Sequence, residues 1–327
     1  MNTRRLVLPD LPRVALLDGP TPLQPMPRLS VALGGAAGLW IKREDLGPLA
    51  FSGNKLRNLE FLLGAALAEG ADTIVTSGRR WSNHCRLTAA AGAKLGLGVH
   101  LVMSGPPLRS PNLDLIELLG GVIHQAETDE RDEREELVAR VAAELRQGGR
   151  GVHVIPVGGS NATGAWGQVL ATLELGEQLA REPVTPDAIV VASATGGTQA
   201  GLLVGASLAF SPPPRIIGMV ARQGAAALRD LVEPKVRELA GMAGIEPPIE
   251  RIELDEGQLG DGYGVPTPAS NAAGELLART EGILVDPIYG AKALAGLIEL
   301  VRSGGLDGRQ AVFWHGGGLP SLFEPAR

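Results

Sequence analysis

Cysteine is almost absent from this chain of 327 residues, in which Cys85 is the single example. One cysteine excludes a disulfide within the chain and a cluster of thiolate metal ligands. The five histidines are scattered, without the H-x-x-x-H or H-E-x-x-H spacing of metal ligands on a helix. We therefore expect no metal site.

The chain also lacks a large excess of charge and a long apolar run. Its formal net charge of -6 provides no basic field to hold a phosphate backbone, so we expect no nucleic-acid partner. No stretch reaches the roughly 18 apolar residues of a membrane span. Residues 1–15 hold arginines but no continuous apolar segment of the secretory kind. These features predict a cytoplasmic protein with no membrane partner.

Aromatic residues are few as well, at 3% of the chain, whereas glycine is abundant, with 45 residues. This balance is typical of chains in which short turns connect strands to helices rich in alanine and leucine. The length is enough for two domains of about 150 residues each. Glycine-flanked breaks near residues 47–48 and 158–159 predict a smaller domain, residues 51–160, inserted into a larger one formed by residues 1–50 and 161–327.

Short apolar stretches alternate along the chain with segments of helical spacing. In residues 82–95, for example, Leu87, Ala91 and Leu95 recur at the interval of one helix face. Continuously apolar strands between helices indicate α/β architecture, with parallel sheets covered on both faces. We predict strands at 73–76, 99–103, 122–124, 152–157, 188–192, 216–220, 283–285 and 311–314, and helices at 82–95, 113–119 and 134–145.

Lys55 stands at the end of Ser52-Gly53-Asn54-Lys55, where a helix with one apolar face is predicted to begin. A lysine in the first turn of a helix faces the positive end of the helix dipole, which is unfavourable for stability. The same field lowers the pKa of the amine and favours the neutral form that attacks a carbonyl group. Lys55 is therefore a candidate nucleophile, although this segment alone fits a lysine in solvent at least as well.

A glycine-rich segment, Thr195-Gly196-Gly197-Thr198, follows a predicted strand and precedes a helix rich in alanine and leucine. Glycines let backbone N–H groups converge on an anion, threonine hydroxyls add donors, and the helix contributes its dipole. The segment has neither the G-x-x-x-x-G-K-[ST] nor the G-x-G-x-x-G frame, so it predicts a phosphate site of another kind. A tight turn without a ligand is the alternative.

Two further segments carry polar side chains where ligands are commonly bound. Ser82-Asn83-His84 begins a predicted helix, where N–H groups and short side chains bind a carboxylate, although Ser82 is also a natural N-cap. Tyr263 and Tyr289 are the two tyrosines of the chain, and both stand in loop-like sequence rather than on an apolar face. They are candidates for contact with a substrate, with a buried structural role as the alternative.

Taken together, these segments resemble, over nearly the whole chain, the fold-type-II pyridoxal-phosphate family that contains D-cysteine desulfhydrase and 1-aminocyclopropane-1-carboxylate deaminase. The resemblance implies a tryptophan-synthase-β-like fold with two parallel-sheet three-layer αβα domains. It also implies pyridoxal 5'-phosphate as cofactor, a small amino acid as substrate, and a homodimer. The segments that carry it are Ile41-Lys42-Arg43-Glu44-Asp45-Leu46, Ser52-Gly53-Asn54-Lys55, Ser82-Asn83-His84, Pro156-Val157-Gly158-Gly159-Ser160-Asn161, Thr195-Gly196-Gly197-Thr198, Asp286-Pro287-Ile288-Tyr289 and His315-Gly316-Gly317.

The resemblance implies which residues bind the cofactor. Lys55 would form a Schiff base with it and act as the base in the reaction. Asn83 would bond its phenolic oxygen, and residues 195–198 would bind its phosphate. Gly316 would lie beside its ring.

The resemblance also implies which residues meet the substrate. Ser82, with its neighbours Trp81, Asn83 and His84, would hold the carboxylate. Tyr263 and Tyr289 would face the departing group, and a tyrosine hydroxyl within hydrogen-bond reach would protonate it.

The chain departs from the family pattern near the expected cofactor ring. Gly290 stands where the family has glutamate or threonine, and Gly316 where it has threonine or leucine. Trp81 replaces a glutamine found in many members, and His84 matches the desulfhydrases rather than the deaminases. Because neither glycine supplies a group that holds a proton on the ring nitrogen, these departures favour elimination of a good leaving group over opening of a cyclopropane.

Three hypotheses for the function follow. The leading one is a β-eliminating lyase of D-cysteine desulfhydrase type, which converts a small β-substituted amino acid to pyruvate, ammonia and the leaving group. The second is a 1-aminocyclopropane-1-carboxylate deaminase or a biosynthetic relative that acts on another small amino acid. The third, from a different class, is a non-catalytic protein that binds an amino acid or the cofactor, against which Lys55, Tyr263 and Tyr289 argue.

Overall fold

A computed structural model gives the architecture of residues 9–105, 108–128, 130–182 and 184–324, in which strands alternate with helices. The strands are β1 (Leu23–Pro25), β2 (Gly38–Arg43), β3 (Thr73–Arg79), β4 (Gly98–Ser104), β5 (Val122–Ala126), β6 (Val152–Val154), β7 (Ala188–Ser193), β8 (Arg215–Val220), β9 (Glu253–Asp255) and β10 (Gln310–His315). The α-helices are α1 (Pro27–Ala32), α2 (Lys55–Ala68), α3 (Asn83–Leu95), α4 (Pro111–Leu118), α5 (Arg131–Gln147), α6 (Ala162–Leu179), α7 (Gly197–Ala209), α8 (Ala225–Ala243), α9 (Pro268–Glu281) and α10 (Gly290–Arg302). Short 3-10 helices span Val157–Gly159, Ile249–Arg251 and Leu319–Phe323.

The strands form two sheets. One has six strands in the order β1-β2-β10-β7-β8-β9, and the other has four in the order β5-β4-β3-β6. Neighbouring strands run parallel, except that β1 pairs with β2 in the antiparallel direction. The four-stranded sheet comes from one continuous stretch of chain that lies between β2 and β7 of the larger sheet. The domain borders near residues 50 and 160 stay a prediction.

Helices cover both faces of each sheet. Because successive residues of a strand point to opposite faces, Ile189 of β7 joins the core beneath α6, α7 and α8, whereas Val190 joins the core beneath α1, α9 and α10. The smaller sheet packs α2, α3 and α4 on one face and α5 on the other, with Ile74 and Val75 of β3 on the two sides. The predicted three-layer αβα architecture is confirmed.

One predicted strand is wrong and several short strands were not predicted. Residues 283–285 form no strand, although Ile283 and Val285 are buried between the ends of α9 and α10. The carbonyl of Leu284 accepts a hydrogen bond from His315 Nε2 at 2.9 Å instead of pairing in a ladder. A short apolar run alone does not distinguish a strand from a buried connection. Strands β1, β2 and β9 had no prediction, and the strand predicted at 152–157 ends at Val154.

No helix in the described part of the chain is long and apolar enough to cross a membrane. Among the same residues, no three histidine, cysteine, aspartate or glutamate side chains come together in a way that suits a metal ion. Cys85 is buried, and burial raises the pKa of its thiol to about 12. The thiol therefore stays protonated near neutral pH.

Candidate active site

A cavity opens at the carboxyl ends of β3, β7, β8 and β10, which is where parallel sheets usually bind ligands. The first turns of α2, α3 and α10 also contribute to its wall. The predicted site residues that line it are Lys55, Ser82, Asn83, His84, Thr195, Gly196, Thr198, Tyr263, Tyr289, Gly290 and Gly316. Segments far apart in the sequence therefore meet around one space.

Lys55 is the first residue of α2, and its side chain is half-buried on the cavity wall. Burial lowers the pKa of its amine to about 8, and the positive charge of Lys235 contributes to the shift. A larger fraction of this amine is therefore neutral near physiological pH than of a lysine in solvent. Lys55 is therefore not the fully solvated lysine that its segment alone fits equally well.

The backbone before Lys55 is strained. Ala50, Phe51 and Ser52 have φ angles of 39°, 61° and 46°, and Gly53 follows at 138°. The left-handed region costs a residue with a Cβ about 1–2 kcal/mol, so three in succession need support from elsewhere.

Buried Arg86 of α3 provides that support. Its Nε donates to the Ala50 carbonyl and its Nη2 to the Ser52 carbonyl, both at 3.0 Å. Its Nη1 donates to Asn83 Oδ1 and to Asn112 Oδ1, both at 2.7 Å. Arg86 thus connects the turn that precedes Lys55 to the start of α3. The sequence analysis missed this residue, since nothing in its local pattern distinguishes it from a surface arginine.

The glycine-rich loop forms a close-fitting turn at the start of α7. Gly196 is the N-cap with a φ of 81°, and a Cβ on it would lie 2.8 Å from Val232 Cγ2. A Cβ on Gly197 would lie 2.8 Å from Ser160 Oγ, which itself donates to the Thr195 carbonyl at 2.7 Å. Gly197 belongs to this turn but not to the cavity wall. The first N–H groups of a helix have no acceptor within it, so this end of α7 suits an anion.

Ser82 and Asn83 begin α3 on the opposite part of the wall. Ser82 is the N-cap, and its hydroxyl accepts from Cys85 N at 3.1 Å, as the structural alternative for this residue predicted. Because Asn83 Oδ1 accepts from Arg86, the amide group is oriented with Nδ2 as its remaining donor. Both residues line the cavity, so the cap and a ligand contact are compatible.

His84 is buried, and its hydrogen bonds define which nitrogen carries the proton. The hydroxyl of Thr76 donates to the Ile155 carbonyl at 2.8 Å, so it accepts from His84 Nε2 at 3.0 Å. Nδ1 is then an acceptor, and it has no hydrogen-bond partner among the described residues. Burial and the nearby Lys55 lower the pKa of His84 to about 3. The ring is therefore neutral, with one buried acceptor left for a ligand.

The two tyrosines form a pair at the cavity. Their hydroxyl groups are hydrogen-bonded to each other, and their ring centroids lie 6.0 Å apart. Asp286, which is buried, accepts from the backbone N–H groups of Ile288, Tyr289 and Gly290 at 2.8–3.0 Å and so holds the start of α10. Burial raises the pKa of Tyr289 well above its usual value, so its hydroxyl stays protonated.

Trp81 lies behind the wall rather than on it. It is buried and packs edge-on against Tyr263, with ring centroids 5.5 Å apart. Trp81 therefore meets the cavity through Tyr263 and through Arg79, whose guanidinium lies 5.9 Å from the Trp81 ring centroid. Three arginines that the sequence analysis did not identify do line the cavity, namely Arg79, Arg134 and Arg222. Nothing in the sequence around any of the three distinguishes it from a surface arginine.

These residues fit a cofactor that has an aldehyde and a phosphate group. Lys55 offers a partly neutral amine to the aldehyde, and the turn at Gly196, where an added Cβ would collide with Val232, presents the start of α7 to the phosphate. The buried Nδ1 of His84 is an acceptor that the protein leaves for a ligand.

Comparisons with known proteins agree with this chemistry. A family model described as pyridoxal-phosphate dependent enzyme matches residues 14–317. D-cysteine desulfhydrase of Salmonella choleraesuis (strain SC-B67) is 40% identical, with 97% of each chain covered, and that of Klebsiella pneumoniae subsp. pneumoniae has the same identity and coverage. A solved structure of an ACC deaminase homologue is 35% identical, with a TM-score of 0.88 and coverage of 96% of this chain and 94% of the other.

Proposed function

Because this chain belongs to the family of pyridoxal-phosphate dependent enzymes, we propose that it is a β-eliminating lyase of D-cysteine desulfhydrase type. It would convert a small β-substituted amino acid to pyruvate, ammonia and the leaving group. The proposal depends mainly on the cavity, which brings Lys55 together with the starts of α3 and α7 and with the hydroxyl groups of Tyr263 and Tyr289. The 40% identity to D-cysteine desulfhydrases over nearly the whole chain supports it.

Separate parts of the wall would hold the cofactor. Lys55 would bind its aldehyde carbon, the N–H groups of residues 195–198 its phosphate, and Asn83 Nδ2 its phenolic oxygen. The orientation of Asn83, which Arg86 imposes, supports the last contact. When bound, the cofactor makes the Cα–H bond of an amino acid acidic, because its ring accepts the electron pair.

The side chains of the protein would then position the amino acid and move protons. Ser82 and the first N–H groups of α3 would hold its carboxylate. Lys55, released as a neutral amine, would take the proton from Cα. The hydrogen-bonded hydroxyl pair of Tyr263 and Tyr289 would deliver a proton to the leaving group, which the raised pKa of Tyr289 supports at neutral pH.

Two glycines on the wall favour elimination over ring opening. Gly290 and Gly316 carry no side chain that would donate to or accept from the cofactor ring, and the nearby carboxylate of Asp286 is occupied by three backbone N–H groups. Elimination stores little charge in the ring, because the β-bond breaks as the Cα proton leaves. When a cyclopropane opens, no heteroatom departs, so the reaction depends more on a protein group that stabilises the charge in the cofactor ring.

Parallel kinetics on three compounds test this proposal. We expect pyruvate from D-cysteine and from β-chloro-D-alanine, and little 2-oxobutanoate from 1-aminocyclopropane-1-carboxylate. A higher kcat/KM on the cyclopropane than on any β-substituted amino acid would instead establish the deaminase, which the resemblance to an ACC deaminase homologue makes the second candidate. Absence of any turnover, with the cofactor bound, would favour a non-catalytic binding protein.

We also propose that the enzyme is a cytoplasmic homodimer, as the family resemblance implies. Light scattering of the purified protein at micromolar concentration would give twice the chain mass. A mass equal to one chain would rule the dimer out, and recovery of the protein in a membrane or secreted fraction would rule out the location.

A further inference from the structure

The cavity wall has a positive charge that neither the resemblance nor the proposed reaction uses. Arg79 ends β3, Arg134 lies in α5 and Arg222 follows β8, and all three contribute to the wall with Lys55. Among the described residues, no aspartate or glutamate lines this cavity. An uncharged side chain such as that of cysteine offers no charged acceptor to the unsatisfied donors of Arg134.

Arg134 has buried donors that the described residues of the protein do not satisfy. Its side chain is buried, with 2% of the residue exposed, yet its Nε and Nη2 have no hydrogen-bond partner among the described residues. A buried donor without an acceptor costs about 1–3 kcal/mol, and more when it is charged, so such groups generally meet a bound molecule. Burial and the charge of Arg222 lower the pKa of Arg134, Glu135 opposes them, and the charge of Arg79 lowers it further. An anion among the three would relieve this repulsion.

Arg79 and Arg222 lie on the side of the cavity where the leaving group is expected. The guanidinium of Arg79 lies 5.8 Å from the centroid of the Tyr263 ring, and that of Arg222 lies 5.7 Å from the same centroid. Tyr263 is hydrogen-bonded to Tyr289, and this pair is the proposed proton donor to the leaving group. The two other anionic groups of the proposed complex have their own sites, since the start of α7 suits the phosphate and the start of α3 suits the α-carboxylate.

A second cavity shares part of its wall with the first and is also lined by positively charged side chains. Arg134, Arg222 and Thr195 line both cavities, and the second also includes Arg131, Arg146 and Lys235. Glu135 is the one acidic side chain that the structure describes on its wall, and it is ion-paired with Arg131. Such a cationic approach concentrates anionic molecules at the site.

We propose, on the basis of the proposed lyase activity, that the preferred substrate is an amino acid whose β-substituent is itself an oxyanion, which Arg79, Arg134 and Arg222 bind. Lys55 takes the Cα proton, the electron pair of that bond forms the Cα–Cβ double bond, and the Cβ–X bond breaks with its electrons leaving on X. From a β-sulfonate, X departs as sulfite. The released enamine reacts with one water to give pyruvate and ammonia, so that atoms and charges balance.

A pair of ligands that differ only in charge tests the binding directly. Aspartate and asparagine have nearly the same shape and no good leaving group, so their dissociation constants measure recognition without turnover. We expect the cofactor-loaded enzyme to bind the better enantiomer of aspartate about 10- to 100-fold more tightly than the matching asparagine, as for a hydrogen-bonded charged pair. The absorbance of the bound cofactor or calorimetry reports the binding. Equal affinity for the two would overturn the inference.

Variants then show whether the arginines are responsible. Arg134→Gln and, separately, half-buried Arg222→Gln are expected to reduce the preference for aspartate by about 10-fold or more. Arg140→Gln is the matched control, because Arg140 is an exposed arginine on the same helix and does not line either cavity. If Arg222→Gln folds, keeps its cofactor and still prefers aspartate as wild type does, the inference is wrong. Loss of cofactor from either variant would mean that these arginines serve the phosphate instead.

Substrate kinetics separate this inference from the function on which it rests. Cysteate and O-phosphoserine, in both enantiomers, carry a sulfonate and a phosphate at Cβ, whereas β-chloroalanine and cysteine carry no oxyanion. A higher kcat/KM on either oxyanion compound supports the inference, and the product, sulfite or phosphate, identifies the class. Pyruvate from β-chloroalanine without that preference would overturn the inference alone, whereas no pyruvate from any compound would overturn the lyase.

Discussion

Burial determines the protonation states of the three side chains that the proposed chemistry needs. The pKa of Lys55 falls to about 8, that of His84 to about 3, and that of Tyr289 rises. A nucleophilic amine, a neutral imidazole and a protonated phenol result from the same cause, because an enclosed wall penalises whichever form is charged. The positive charge of Lys235 lowers the pKa of Lys55 in addition to burial.

The rate at which cofactor attaches to the cofactor-free protein should depend on this shift. Only the neutral amine reacts, so the rate is expected to rise with pH and to level off above about pH 8 rather than near the usual lysine pKa of 10.5. Lys235→Gln removes a positive charge and should move the midpoint to higher pH. Absorbance kinetics measure the rate, and borohydride reduction followed by peptide mass spectrometry locates the bond. A reducible adduct that persists in Lys55→Ala would show that another lysine carries the cofactor.

Whole elements meet at the cavity through their ends, and turns hold those ends in place. The turn at Gly196 requires a positive φ and space next to α8. The turn before Lys55 requires three left-handed residues that Arg86 stabilises. Each turn has an unusual backbone conformation that determines where a helix begins, and such conformations are common at ligand sites.

Gly196→Val should therefore weaken retention of the cofactor. Its Cβ would meet Val232 at 2.8 Å and displace the N–H groups at the start of α7. We expect the dissociation constant of the cofactor to rise about 10-fold or more, the effect of losing a hydrogen bond to a charged group. Gly70→Val is the matched control, because Gly70 has a similar φ of 76° with nothing within 4 Å of an added Cβ. Unchanged affinity in Gly196→Val, measured after dialysis, would remove this loop from the site.

Arg86→Gln should lower both stability and the rate of cofactor attachment. It leaves the buried carbonyl of Ser52 and the half-buried carbonyl of Ala50 without these donors, which costs about 2–4 kcal/mol in the free energy of unfolding. A purely structural role would change the unfolding curve alone. A positioning role predicts in addition slower attachment at Lys55 in the folded protein and partial rescue in Arg86→Lys. Lys94→Gln, at an exposed site of the same helix, should change neither quantity.

At the scale of the whole molecule, a buried ion cluster joins α2 to the larger sheet. Arg57 of α2 bonds Glu44, which follows β2, at 3.0 Å and Glu174 of α6 at 2.7 Å. Lys42 of β2 also bonds Glu174, at 2.5 Å. Since Lys55 stands at the start of α2, this cluster holds the helix that carries it against the rest of the cavity.

Glu174→Gln tests the cluster through stability and its pH dependence. Burial raises the pKa of Glu174, but Arg57 and Lys42 outweigh burial, so the net pKa lies below the usual 4.5. The stabilisation is therefore present above about pH 4.5 and lost as pH falls through the lower, folded-state pKa. Urea unfolding at neutral pH should show a loss of about 2–4 kcal/mol, with a smaller loss near pH 3. Glu233→Gln, in an exposed pair with Arg237, is the control, and an equal loss in both variants would contradict this account.

Local sequence was enough to predict the features that local chain geometry decides. Most of the described strands and about half of the helices followed from apolar periodicity, and Lys55, Ser82 and Gly196 were identified because each stands at a helix start. The family resemblance then predicted the cofactor and the class of reaction. These predictions succeed because helix starts and tight turns are determined by a few neighbouring residues.

Only the tertiary structure decided which distant residues face one another. Arg79, Arg134 and Arg222 come from three separate elements, and nothing in their own segments distinguishes them from surface arginines. Trp81 was expected on the wall and lies behind it, and residues 283–285 were expected to pair in a sheet and do not. The physical reason is that long-range packing determines which side of an element is enclosed, whereas a sequence pattern reports only that one side is apolar.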